Sequence, residues 1–291
     1  MQHQNLFKAA LWMGAAVLSF SAMAVAGREL LVDMNTFELM LYRSGVGFVC
    51  VCAIIALRPA GFSLVRTRNL RLHLLRNAIH YTGQNLWFYA ISLIALSQVV
   101  AIEFTNPIWV ALLAPFLLGE RLTRARLIAA LLGFIGVLIV AQPGRAPIGP
   151  GQVAVAVAAL CYALNTIYTK QIMRHDHVLT VIFYMTLTQG AGSLVLSLPG
   201  GIPLPSAGDL FYILVVGVTG VSAHFALTSA LGWAPATIVA PMDFARLPLI
   251  AFVGALLYGE TLSPMVAVGA AIIVCANVVN LRDGARRIRT A

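Results

Sequence analysis

Long apolar runs alternate with short polar gaps along the whole chain. Ten runs are long enough to count as spans: about 8–26, 37–57, 71–93, 97–118, 126–142, 152–170, 178–198, 209–231, 236–257 and 264–281. A helix needs roughly 20 mostly apolar residues to cross a bilayer. The gaps hold charges or helix breakers, such as Arg58-Pro59-Ala60-Gly61, Gln142-Pro143-Gly144 and Pro199-Gly200-Gly201. No run alternates with the period of two that marks a barrel strand, and backbone groups in lipid must be satisfied internally, so the pattern predicts helices throughout. Short links such as Gly232 to Pro235 make neighbouring spans antiparallel.

The pattern is written twice. Leu117-Leu118-Gly119-Glu120-Arg121-Leu122-Thr123 returns 140 positions later as Leu257-Tyr258-Gly259-Glu260-Thr261-Leu262-Ser263. At the same offset Glu103-Phe104 returns as Asp243-Phe244, and Val99 and Ala111 as Val239 and Ala251. The expected units are residues 1–145 and 146–291, the second ending in a short basic tail, with five spans each. An odd number of spans sends the second copy through the membrane in the opposite sense. The expected fold is therefore an all-α membrane protein of ten helices, arranged as two inverted five-helix repeats around a central cavity near the midplane. Residues Ala22-Met23-Ala24-Val25-Ala26 resemble a signal-cleavage site behind Lys8. The run before them aligns with Leu160 to Met173 in the second half, so it is read as an uncleaved first span.

Composition agrees. The chain is 60% hydrophobic and 10% charged, with a mean hydropathy of +0.90, whereas a soluble domain carries about 25% charged residues. A net charge of +9 invites a nucleic-acid reading, but the basic residues fall in the gaps. With the N-terminus inside, the inner gaps hold Lys8; Arg58, Arg66, Arg68 and Arg71; Arg121, Arg124 and Arg126; Lys170 and Arg174; and Arg282, Arg286, Arg287 and Arg289. The outer gaps hold only Arg28 and Arg145. This asymmetry predicts two cytoplasmic termini and a lipid rather than a nucleic-acid partner. Cys50, Cys52, Cys161 and Cys275 lie in apolar runs and read as small buried residues, and His175-Asp176-His177 offers too few ligands for a metal. No cofactor, catalytic residue or metal site is expected. No nucleotide-binding loop, G-x-S-x-G elbow or H-E-x-x-H helix is present, so a pump driven by ATP would need a partner chain.

Ionisable residues inside spans cost a few kcal/mol each on insertion scales and normally face a cavity or one another. Arg43 and Glu103 each sit roughly 9 Å below the outer surface, which makes them a candidate ion pair. Asp243 and Arg246 are three apart on one helix and share a face; Asn106 stands at the repeat position of Arg246. Pro107 and Pro115, then Pro241 and Pro248, are expected to kink spans four and nine beside the acids. Asn77, His80, Tyr81, Gln84, Asn85 and Phe88 form a polar and aromatic stripe on span three; span eight brings His224 and Ser222 opposite Gln84 and Thr82. Span six offers Tyr162, Asn165 and Thr169 on one face. Such faces turn inward, either to hydrogen-bond neighbouring helices or to meet a solute. Glu120 and Glu260 close spans four and nine and read as capping residues, with Arg121 and Arg124 near Glu120. Trp12 and Trp233 read as interface anchors.

These features together resemble the drug/metabolite transporter superfamily, EamA-like branch: ten spans in two repeats, each with a run closing on L-x-G-E-x-L-[T/S] and followed by a Gly- or Ala-rich final span (Gly133, Gly136; Gly269, Ala270). Phe37-Glu38 to Tyr42-Arg43-Ser44 also resembles the second-span pattern of that branch. The likeness covers about Ala9 to Leu281. It implies a bacterial inner-membrane transporter of a small organic solute; a monomer or weak homo-oligomer is expected. The chain is similar to bacterial amino-acid exporters of the YddG type, which implies export of amino acids or related metabolites, with Tyr81 and Tyr162 as aromatic contacts. An importer of a vitamin- or cofactor-like metabolite on the same scaffold is the first alternative, and a membrane-embedded enzyme the second. The expected cavity residues are Arg43, Tyr81, Gln84, Asn85, Glu103, Asn106, Tyr162, Asn165, His224, Asp243 and Arg246.

Overall fold

The structure, a computed structural model, describes residues 5–94, 96–120, 123–141, 148–202, 204–258 and 264–290. Its helices in chain order are α1 (Leu6–Leu30), α2 (Thr36–Ala56), α3 (Leu70–Leu93), α4 (Leu96–Glu103), α5 (Asn106–Leu118), α6 (Arg124–Ala141), α7 (Pro150–Ile172), α8 (Val178–Ser197), α9 (Ala207–Trp233), α10 (Ala236–Met242), α11 (Arg246–Tyr258) and α12 (Pro264–Thr290). Helices α4 and α5 together make the fourth segment. Helices α10 and α11, joined by a 3₁₀ turn at Asp243–Ala245, make the ninth. The polar gaps supply the helix starts. The Asn35 side chain accepts from the amides of Phe37 and Glu38 while the Glu38 carboxylate accepts from that of Asn35, a reciprocal cap that begins α2. Ser206 and Asp209 do the same for α9, and Pro150 opens α7, where a missing N–H costs nothing. Outward-facing positions stay apolar, as at Leu18, Phe116 and Phe211. A helix apolar on nearly every side suits a hydrocarbon surround.

Repeat-equivalent helices run antiparallel. On α2 and α8, Arg43 meets Gln189 while Phe48 meets Phe183. On α6 and α12, Thr123 meets Asp283 while Gly136 lies beside Gly269. In both pairs residue numbers rise on one helix as they fall on its partner, so the two repeats are inverted. The remaining contacts respect the same exchange. Helix α1 packs on α9, with Asn5 N–H donating to Trp233 O, and α3 packs on α7, with His80 against Tyr162. Swapping the halves turns one of these pairs into the other. Gly133 and Gly136 permit close approach. A Cβ at Gly133 would stand 2.3 Å from the Phe244 ring, and one at Gly136 would stand 2.9 Å from Gly269 O.

Both inner spans are interrupted at matching places. Proline lacks the donor its helix would use to reach the carbonyl four residues back, and its ring crowds that carbonyl. For Pro107 that carbonyl belongs to Glu103, where α4 stops; Phe104 and Thr105 form the break and α5 restarts at Asn106. For Pro248 it belongs to Phe244, inside the 3₁₀ turn. Pro241 lies within α10. Gly119, with φ of 69°, ends α5; the matching Gly259-Glu260 lies outside the described residues, as do Arg121 and Arg145. Helix α12 continues past the apolar run to Thr290, so its polar end extends the span as helix.

Candidate functional site

The two breaks face each other at the centre, where Phe104 and Phe244 pack edge to face at 5.5 Å. Arg246 Nη2 there donates to Glu103 Oε1 at 2.5 Å and to Asp243 Oδ2 at 2.9 Å. Trp87 Nε1 donates to Glu103 Oε2 at 2.7 Å. The guanidinium lies 5.2 Å and 5.3 Å from the Phe104 and Phe20 ring centres, close enough for cation–π attraction. The repeat-matched acids thus share one base. This corrects the expected Arg43–Glu103 pair. Equal depth along two helices says nothing about which way each side chain points around its axis.

A cavity of about 40 Å³ adjoins this cluster. Its walls are Phe20 and Met23 from α1; His80, Gln84 and Trp87 from α3; Glu103 and Asn106; Tyr162, Asn165 and Thr166 from α7; His224 and Leu227 from α9; and Asp243 and Arg246. Polar atoms without a partner among the described residues crowd it: Gln84 Oε1, Asn106 Oδ1, Asn165 Oδ1, His80 Nε2, both ring nitrogens of His224, Asp243 Oδ1 and Arg246 Nε. Buried polar groups are otherwise almost always bonded, so this concentration marks a place for a polar solute. The space holds a few waters at roughly 10–15 Å³ each, whereas small-molecule pockets run to about 300–1,000 Å³. The walls are drawn in around the site.

Of the expected residues, Gln84, Glu103, Asn106, Tyr162, Asn165, His224, Asp243 and Arg246 line this space. Three others do not. The Tyr81 hydroxyl bonds Ser193 at 2.9 Å and its ring packs on Gly192, so it faces α8. Asn85 donates back to Tyr81 O. Arg43 lies behind the wall: Nη1 donates to Gln189 Oε1 at 3.2 Å, and the guanidinium sits on Gly220, where a Cβ would stand 2.7 Å from Nε. Gln189 in turn bonds His80, whose ring is 4.6 Å from His224. Pro107, Pro241 and Pro248 shape the breaks without lining the cavity. Sequence reasoning did not assign Phe20, Met23, His80, Trp87, Thr166 and Leu227 to the site, although it placed His80 on the polar stripe of span three. Trp87 carries a signal in hindsight, one turn beyond Gln84 on the stripe of span three. Arg76, 1% exposed on that helix, was also missed as an intramembrane charge.

The face carrying most basic gaps, here the basic face, is tied shut by side chains on helix ends. The Glu120 carboxylate accepts from the amides of Ala236 and Thr237 and from the Thr237 hydroxyl, capping α10. Lys170 donates to Leu231 O and Ala234 O, closing α9. Gln171 and Arg174 donate to Leu117 O and Leu118 O, closing α5. A separate cleft of about 830 Å³ opens on this face, with Trp12, Met173, Asp176, Phe225 and Trp233 in its wall.

Inverted repeats, paired helix breaks and an uncommitted polar cavity between them describe a membrane transporter of small solutes. The chain belongs to the EamA-like transporter family, which matches residues 7–142 and again 149–282. It is 29% identical to a riboflavin transporter of Rhizobium johnstonii, over 96% of this chain and 93% of that one. A riboflavin transporter of Vibrio cholerae is also 29% identical, over 94% and 92%. An S-adenosylmethionine uptake transporter of Rickettsia bellii is 23% identical, over 92% and 91%. A solved crystal structure superposes with a TM-score of 0.81 at 19% identity, covering 97% of this chain and 99% of that one; it supports the fold alone. The protein is a multi-pass integral membrane transporter and not an enzyme.

Proposed function

We propose that the chain imports a vitamin- or cofactor-like heteroaromatic solute, with riboflavin the leading candidate, by alternating access through the bacterial inner membrane. The observation that carries this reading is the make-up of the cavity. Phe20, Trp87 and Tyr162 offer rings to a planar solute, and the unpartnered amide, imidazole, carboxylate and guanidinium atoms offer both donors and acceptors to its edges. The relatives named for riboflavin and S-adenosylmethionine support it over the expected export of amino acids. The basic face is assigned to the cytoplasm, with both termini there.

The test is uptake of labelled riboflavin into proteoliposomes holding the purified protein. Saturable accumulation above empty vesicles is expected. Background riboflavin uptake, together with amino-acid efflux from preloaded vesicles, overturns the reading and restores the exporter.

A further inference from the structure

Two guanidiniums, Arg43 and Arg76, are 3% and 1% exposed and have no carboxylate within 4 Å among the described residues. An unpaired buried charge is expensive, and at membrane depth it marks a functional place. Arg76 holds the more telling position. On α3 it lies one turn from His80, which lines the central cavity, and one turn from His73, whose Nε2 bonds Asp176 in the wall of the cleft at 2.8 Å. Its Nε donates to Thr169 at 3.0 Å. On α7, Thr169 stands between Thr166 in the cavity and Met173 in the cleft. Helices α1 and α9 likewise line both spaces, through Phe20 and Trp12 and through His224 and Gly232. The cavity and the cleft are therefore stacked along the same helices, with Arg76 in the layer between them.

We propose that Arg76 is a charge filter on the path from the central cavity to the cleft at the basic face, passing neutral or anionic solutes and stopping cations. The inference rests on the transport reading above and divides the two chemistries found among the relatives. Riboflavin is neutral, whereas S-adenosylmethionine carries a sulfonium and is a net cation at neutral pH. Entry to the cavity is not barred to a cation, because Asp243 Oδ1 faces it without a partner. The barrier lies at the exit, where a fixed positive charge in a narrow low-dielectric layer repels like charge, as arginines do in other selective pores. Discrimination by a repulsive element needs no extra contact with the favoured solute.

The experiment compares proteoliposome uptake of labelled riboflavin and labelled S-adenosylmethionine by wild type, Arg76→Gln, Arg76→Lys and Thr169→Asp. Wild type should carry riboflavin, with the cation near background. Arg76→Gln should raise the ratio of cation to riboflavin uptake by roughly thirtyfold, the Coulomb factor for a unit charge passing at about 8 Å with an effective dielectric of about 20. Arg76→Lys should keep the exclusion. Thr169→Asp, which pairs the guanidinium without removing it, should lift the exclusion and serves if Arg76→Gln does not fold. Equal uptake of both solutes by wild type overturns the filter and leaves the transport reading intact, as does an unchanged ratio in both neutralising variants. Uptake of neither solute by wild type overturns the transport reading, and the filter with it.

Discussion

Arg246 serves two carboxylates at once, so substitutions at Glu103 and Asp243 should not act independently. Glu103→Gln leaves Arg246 bonded to Asp243, and Asp243→Asn leaves it bonded to Glu103. Each alone should cut uptake at least tenfold while the protein stays folded. The double variant strands a guanidinium at membrane depth, a loss of about 3 kcal/mol on insertion scales, and should destabilise more than the two single losses added together. Thermal unfolding of all three in detergent measures this; strict additivity would separate the acids into unrelated roles. The acids and Arg246 were legible from the sequence because charges inside apolar runs are rare. Arg43 and Tyr81 were misplaced because helical spacing gives a face but not the neighbour that face meets. Arg76 lies about as far into its helix as Arg43 does, so the same signal marked it in the sequence, and only its neighbours were undecided there.

At the scale of elements, the structure turns on two broken spans and the helix ends that hold them. Gly133 of α6 supports the 3₁₀ turn that carries Asp243, because Phe244 lies where its side chain would be. Gly133→Val should force the ring away, destabilise the protein by about 1–3 kcal/mol and lower uptake more than Gly14→Ala, which meets open space. Comparing unfolding temperature with flux for the two variants checks it. Glu120 caps a helix of the opposite repeat, so Glu120→Ala removes the acceptor for two backbone donors and a hydroxyl. A loss of about 1–2 kcal/mol is expected. A cysteine at Thr237 should also react faster with thiol reagents in that background, as the end of α10 loosens; unchanged reactivity would make the cap incidental. The sequence showed that Glu120 ends a span beside a glycine. Its partner, 116 residues further on, lay beyond any local pattern.

For the whole molecule the decisive property is the opposed sense of the two halves. Arg124 and Arg174 lie on one face, the latter bonded to the end of α5, while Leu204 follows α8 on the other. In intact cells Leu204→Cys should label with an impermeant maleimide, and Arg124→Cys and Arg174→Cys only after permeabilisation. Labelling of Arg124→Cys and Arg174→Cys from different sides would dismantle the arrangement.

Membrane class, the number of spans, the duplication and the inversion it forces were all determined by the sequence alone. Each depends on quantities summed along the chain: run length, charge per gap and the offset between copies. The tertiary structure alone decided which helices of one half lie against which of the other. That choice brought Glu103 and Asp243 to the same guanidinium, turned Tyr81 toward α8, set Arg43 behind Gln189 and placed Arg76 between two spaces. Lipid is nearly indifferent to how an apolar helix is rotated, so the rotation is settled by close packing at glycines and by the few polar side chains that must find partners. The partners of Arg43, Tyr81 and Glu120, and one of the two acids on Arg246, lie in the other repeat, far away in sequence.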